Sequence, residues 1–158
     1  MPGPTYNDQL QKVVGQYREA GQPWPATARQ IAAWGYQQKL LVPHPNAVIK
    51  RFAEDLARAM REEYITDPQG RSVRAKHAAR IASNGEQLTL WADIRTAEPR
   101  HMEIAFQQRR QQIVGDCCQL KTDVDSYNDN ANPDRPIQMV FDFTQDVAER
   151  EAMATLGV

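Results

Sequence analysis

The densest run of side chains able to do chemistry is Arg71, Arg74, Lys76, His77 and Arg80, four cations and a histidine within ten residues. Lys and Arg in such a run suit phosphate oxygens, to which they donate charge-assisted hydrogen bonds. Over residues 27–80, ten Lys and Arg stand against five Asp and Glu. Electrostatic binding depends on local rather than total charge, so the whole-chain balance of 19 cations to 20 acids, a formal −1, leaves a nucleic-acid partner open. The imbalance is one-sided: residues 1–110 carry 16 cations and 11 acids, and residues 111–158 carry 3 and 9.

Enzyme chemistry finds little support. His44, His77 and His101 fall in three separate elements, with no H-x-x-x-H or C-x-x-C spacing for zinc. There is no phosphate-cradling glycine loop and no G-x-S-x-G elbow. Asp116, Asp123, Asp125 and Asp129 lack the glycine and closing glutamate of a calcium loop, and read as a solvated acidic face. Cys117 and Cys118 are adjacent, cannot close a long-loop disulfide, and read as packing residues. The expectation is a non-enzyme without cofactor or metal.

The elements that must position the basic run follow from pattern. With 158 residues, 41% of them hydrophobic and 25% charged, the chain has the composition of one globular domain with an appended arm. Ala (20) and Gln (16) favour helices. A first helix capped by Asn7 or Asp8 is expected to reach Glu19, and a second starts near Thr27 after the stiff Gln22-Pro23-Trp24-Pro25 linker. The turn Val42-Pro43-His44-Pro45 separates it from a third helix, begun at Asn46 and reaching about Glu63. Val48/Ile49, Phe52, Leu56 and Ala59/Met60 form its inward stripe. Tyr64–Thr66 and Ser72–Arg74 flank an Asp67-Pro68-Gln69-Gly70 turn, and Asn84-Gly85 joins Ala75–Ser83 to Glu86–Ile94 as a second hairpin. Leu88, Leu90, Ala92 and Ile94 alternate along its return strand and predict one buried face. From Pro99 to Tyr127 no proline intervenes, which predicts a long helix. Phe106, Ile113, Cys117, Leu120, Val124 and Tyr127 recur on it at three- and four-residue steps, with Arg110 interrupting.

Helix, helix, turn, longer helix, strand, turn and basic strand over residues 5–94 resemble the winged helix-turn-helix superfamily. The positioning helix would be TARQIAAWGYQQKLL, the recognition helix HPNAVIKRFAEDLARAM and the wing EYITDPQGRSVRAKH. The resemblance implies a mainly α (α+β) fold with a small β-hairpin sheet. It also implies that the third helix enters the major groove while the wing reaches backbone or minor groove. Arg29, Asn46, Lys50, Arg51, Arg71, Arg74, Lys76 and His77 are then the DNA-binding candidates, Asn46 and Arg51 at base edges and Arg74, Lys76 and His77 at phosphates. The implied function is a DNA-binding transcriptional regulator of bacterial or mobile-element type acting on double-stranded DNA. In the superfamily a long C-terminal helix often pairs two copies, so residues 96–129 are read either as a homodimerisation element or as a helix folded back on the first domain.

Residues 130–158 hold a polar linker, an apolar strand-like segment Ile137–Phe143 and a last helix capped by Thr144. Gln138-Met139-Val140-Phe141-Asp142-Phe143 is similar to the peptide by which bacterial replication and repair proteins dock on the sliding clamp. The similarity lies in the leading glutamine and in apolar residues at its second, fourth and sixth positions. On this alternative the chain is a non-enzymatic adaptor, with Gln138, Met139, Phe141 and Phe143 as partner contacts. The other reading is an edge strand or an arm across the domain. No run approaches the length of a membrane span, and the start MPGPTYNDQL lacks a basic and an apolar leader region, so a cytoplasmic protein is expected.

Overall fold

A computed structural model describes residues 3–43 and 46–157, so the expected turn at His44 and Pro45 lies outside the described residues. Five helices and two antiparallel hairpins follow in the order α1 (Tyr6–Glu19), α2 (Ala28–Gln37), α3 (Ala47–Arg61), β1 (Tyr64–Thr66), β2 (Ser72–Arg74), β3 (Lys76–Ser83), β4 (Glu86–Asp93), α4 (Pro99–Ala131) and α5 (Thr144–Thr155). The α+β class is as expected. The chain divides into two compact units between Arg58 and Ala59, near the end of α3. No helix among the described residues is long and apolar enough to cross a membrane.

In the first unit α1 packs on α2. Thr5, not Asn7 or Asp8, caps α1. Its hydroxyl accepts from the Asp8 amide at 3.1 Å, and the Asp8 carboxylate accepts from the Thr5 amide at 2.8 Å. Thr27 and Gln30 build the same reciprocal box at the start of α2. Tyr17 is buried edge-on against Trp34 at 5.6 Å, and its hydroxyl donates to the Pro23 carbonyl at 2.8 Å, tying down the linker. Close approach needs Gly35, where a Cβ would lie 2.9 Å from Leu41 Cδ1 and 3.0 Å from Val13 Cγ1.

The inward stripe expected on α3 is not buried. Val48, Ile49, Phe52 and Leu56 are all more than half exposed, and no residue of the helix is fully buried. The 3.6-residue period reveals an apolar face but does not say that the chain supplies a cover for it.

The second unit is built around β3. Ala75, fully buried, receives no side-chain help: its amide donates to the Glu63 carbonyl at 2.9 Å and its carbonyl accepts from the Ile94 amide at 2.8 Å, which joins the two hairpins. The β3–β4 register pairs Ser83 with Glu86 and Lys76 with Asp93. Asn84 and Gly85 therefore form a two-residue turn, and both have positive φ (51° and 81°), which Asn and Gly tolerate best. Along β3 and β4, Lys76, Ala78, Arg80, Thr89, Trp91 and Asp93 share one face, and His77, Ala79, Ile81, Leu88, Leu90 and Ala92 the other.

The N-terminal part of α4 lies along β3. Gln108 clasps it: its Oε1 accepts from the Arg80 amide at 2.7 Å and its Nε2 donates to the Arg80 carbonyl at 2.8 Å. His101 Nε2 donates to the His77 carbonyl at 2.9 Å, and His77 stands edge-on to Phe106 at 5.3 Å. Ala79 and Ala105 are buried at this contact, whereas Leu88 and Leu90 stay more than 40% exposed, so the buried face expected on β4 is covered only near its end. Beyond the contact α4 runs on to Ala131, four residues past the expected end, and stops at Asn132 in the left-handed region. Ile137–Phe143 is not in either sheet. Asn128 holds its start, accepting from the Ile137 amide at 2.9 Å and donating to its carbonyl at 2.8 Å. Thr144 is the first residue of α5 rather than its cap, and Asp142 accepts from the Thr144 amide at 3.1 Å.

A charge cluster closes the base of the hairpins. Lys76 Nζ lies 3.1 Å from Glu63 and 3.3 Å from Asp93, and Arg95 forms two side-chain contacts with Asp93 at 2.6 and 2.8 Å. Hydrogen bonds from the Arg95 guanidinium, then from its amide, hold the Asp93 carboxyl well below the usual carboxylate range. A depressed folded-state pKa contributes stability that is fully present above the unfolded value, about pH 4, and is lost as pH falls through the folded one. Thermal midpoints followed from pH 6 to pH 2 should therefore drop more steeply below about pH 4 for the native chain than for Asp93→Asn. Parallel curves for the two proteins would remove Asp93 as a source of acid sensitivity.

Candidate nucleic-acid interface

Beside the Gln108 clasp, the Lys76 face of the β3–β4 hairpin and the flank of α4 enclose an open groove of about 470 Å³. Lys76, Ala78 and Arg80 of β3 and Thr89 and Trp91 of β4 line one side; Gln108, Arg109, Gln112, Ile113 and Asp116 of α4 line the other; Arg61 and Arg74 complete it. Five of the lining residues are cations and one, Asp116, is an acid.

These cations are not equivalent. Lys76 is neutralised by Glu63 and Asp93, which also raise its pKa, Glu63 contributing most. Arg61, Arg74, Arg80 and Arg109 form no ion pair among the described residues. Arg61 instead lies over the Trp91 ring, 5.8 Å from its centre. Arg80 and Arg109 are exposed, with the Arg80 backbone fixed by Gln108 and Arg109 the next residue along α4. Four uncompensated guanidinium groups around one concavity can hold phosphate or carboxylate oxygens, each through paired donors.

Of the eight residues expected to meet DNA, the structure brings Arg74, Lys76 and His77 to the groove and distributes the other five elsewhere. His77 is only 8% exposed and donates through Nε2 to the Arg74 carbonyl at 2.8 Å, so its ring organises the hairpin base instead of facing a ligand. Arg71 is committed to its own turn, its Nε 2.7 Å from Asp67, whose carboxyl is held below the usual range chiefly by the Arg71 amide. Arg51 pairs with Asp55 at 3.4 Å, and Lys50 sits 4.9 Å over the Tyr6 ring. Arg29 is exposed on α2, and Asn46 is exposed immediately before α3. In the tail, Gln138, Met139 and Phe143 are exposed, and Phe141 is half-buried with its ring 6.5 Å from Phe143.

The groove adds Arg61, Arg80, Arg109 and Trp91 to those candidates. Two of the four were within reach of the sequence. Counting back from the Asn84-Gly85 turn sets Trp91 opposite Ala78, on the same face as Lys76 and Arg80. Arg109 and Arg61 come from other elements, and no local period announces where those elements cross. The chain matches no protein-family model, no curated protein and no solved structure.

Proposed function

We propose that the protein binds double-stranded DNA, as a transcriptional regulator of winged helix-turn-helix type. The observation that carries this reading is the set of four arginines, Arg61, Arg74, Arg80 and Arg109, lining one groove with a single carboxylate among them. The element order supports it: three helices precede two hairpins, the first of which ends at Arg74. Four phosphate contacts give a slope of about −3.6 in log K against log[salt] for duplex DNA. Arg80→Ala/Arg109→Ala should flatten that slope by about 1.8 and weaken every sequence alike, since phosphate contacts carry no sequence information. A native protein that binds no duplex at low salt would overturn the proposal.

The regulator acts as a homodimer through the part of α4 beyond the hairpin. Ile113, Leu120 and Tyr127 fall at seven-residue steps there, each 43–51% exposed, with Cys117 and Val124 between them. His101, Phe106 and Gln108 are engaged with β3 and Ile113 borders the groove, so self-pairing is carried chiefly by the stretch from Cys117 to Tyr127. Sedimentation of the native chain at micromolar concentration should give a dimer and Leu120→Glu a monomer. A monomeric native protein removes this part of the proposal.

A second reading, recruitment to a sliding clamp through Gln138–Phe143, is favoured by the state of that segment. It is outside both sheets, is anchored before its first residue by Asn128, and leaves Met139 and Phe143 exposed. Purified clamp should retain the native chain and not Gln138→Ala/Phe143→Ala. Equal retention of both, or of neither, rejects the docking peptide.

A further inference from the structure

We infer that the groove between the β3–β4 hairpin and α4 takes an unpaired nucleic-acid strand, with a base against Trp91 and its phosphates on Arg80 and Arg109. This deepens the DNA-binding reading and rests on it. A groove of about 470 Å³ has the size of a small-ligand pocket, which accepts a base and its sugar-phosphate inside it, whereas a duplex lays only its backbone phosphates against the arginines along the groove. Its lining is the combination that unpaired strands use: cations that follow the backbone beside an aromatic side chain on which a base can lie. A duplex hides its base faces in the stack and gains nothing from Trp91. The indole is half-buried, so it is held in place while keeping an accessible surface. The Arg61 guanidinium lies over that ring, is exposed, has no acid partner among the described residues, and is itself a plane on which bases stack. Gln112 adds a carboxamide to the wall, able to donate to and accept from a base edge. Arg80 and Arg109 are brought together by the Gln108 clasp, so two phosphate-binding groups have fixed anchor points before a strand arrives.

The test compares three labelled probes by anisotropy: a blunt duplex, the same duplex with a short dT overhang, and the dT strand alone. The overhang should tighten binding by about tenfold or more over the blunt duplex. Trp91→Leu should abolish that gain, bringing blunt and overhanging duplex to the same affinity, and Trp91→Phe, which keeps a stacking surface, should retain most of it. Circular dichroism confirms that each variant is folded, and Arg109→Ala, which removes a phosphate contact common to both, should weaken blunt and overhanging duplex together. Equal affinity for blunt and overhanging duplex, or a gain that survives Trp91→Leu, overturns this inference while leaving duplex binding in place. Failure of all three probes to bind at low salt overturns both.

Discussion

The second unit depends on one carboxamide. β3 is paired on one edge by β4, and its other edge presents backbone donors and acceptors that must be satisfied or left to water. Gln108 meets the Arg80 amide and carbonyl with the donor–acceptor spacing of a peptide group, so a helix side chain substitutes for a neighbouring strand at that residue. His101 adds a second fixing at the His77 carbonyl, which by its odd spacing from Arg80 faces the β4 side of the strand. The two contacts are commensurate: seven residues of helix rise about 10.5 Å, and three residues of strand about 10 Å. α4 therefore runs alongside β3 with two polar fixings and a small apolar seam, Ala79 and Ala105, between them. Small residues at that seam let the backbones approach closely enough for the clasp to form.

The same geometry separates structural cations from available ones. Arg71, Lys76 and Arg95 each face a carboxylate within about 3.3 Å, and each closes a turn or a junction between strands. Such pairs fix local geometry more than they contribute stability, because they are exposed to solvent and screened by salt. Arg80 lies three residues after His77, which is fixed to the Arg74 carbonyl, and Arg109 follows the clasp itself, so both project from fixed backbone with no ion-pair partner among the described residues. The near-neutral total charge thus hides a cationic portion over residues 1–110, in which the hairpin base is internally compensated and the groove is not, behind an acidic C-terminal third.

Local chemistry made the hairpins and helix starts legible in the sequence. Asn84-Gly85 set a register correct to the residue, and the second helix starts at Thr27 as expected, where the structure adds a capping box with Gln30. Where two local signals competed, the choice could go wrong: Thr5 takes the cap of α1 and gives Asp8 the reciprocal role three residues on. Tertiary cover was not legible. The α3 stripe and the Leu88–Leu90 face have the right periods for burial yet remain exposed, because period reports a face and not its neighbour. The groove lay at the same boundary. Its strand half follows from counting along a hairpin, and its helical half depends on Gln108, an unremarkable glutamine among sixteen until β3 is placed beside it.

The acids of α4 give the groove a direction. Asp116 lines it seven residues beyond Arg109, about two helical turns, and Asp123, Asp125 and Asp129 follow on the same helix. Two turns are about 10.5 Å, beyond the screening length of about 8 Å at physiological salt, so Asp116 leaves a phosphate seated near Arg109 largely undisturbed and, with the later acids, repels one that advances past it. Lys121 offers no relief, since it is 2.6 Å from Asp125 and already paired. An anionic chain held on Arg80 and Arg109 is therefore turned away from the C-terminal half of α4 and toward Arg74 and Arg61 at the hairpin base. The helix that anchors the groove also bounds it, and the Leu120–Tyr127 part of its apolar stripe lies outside the lining.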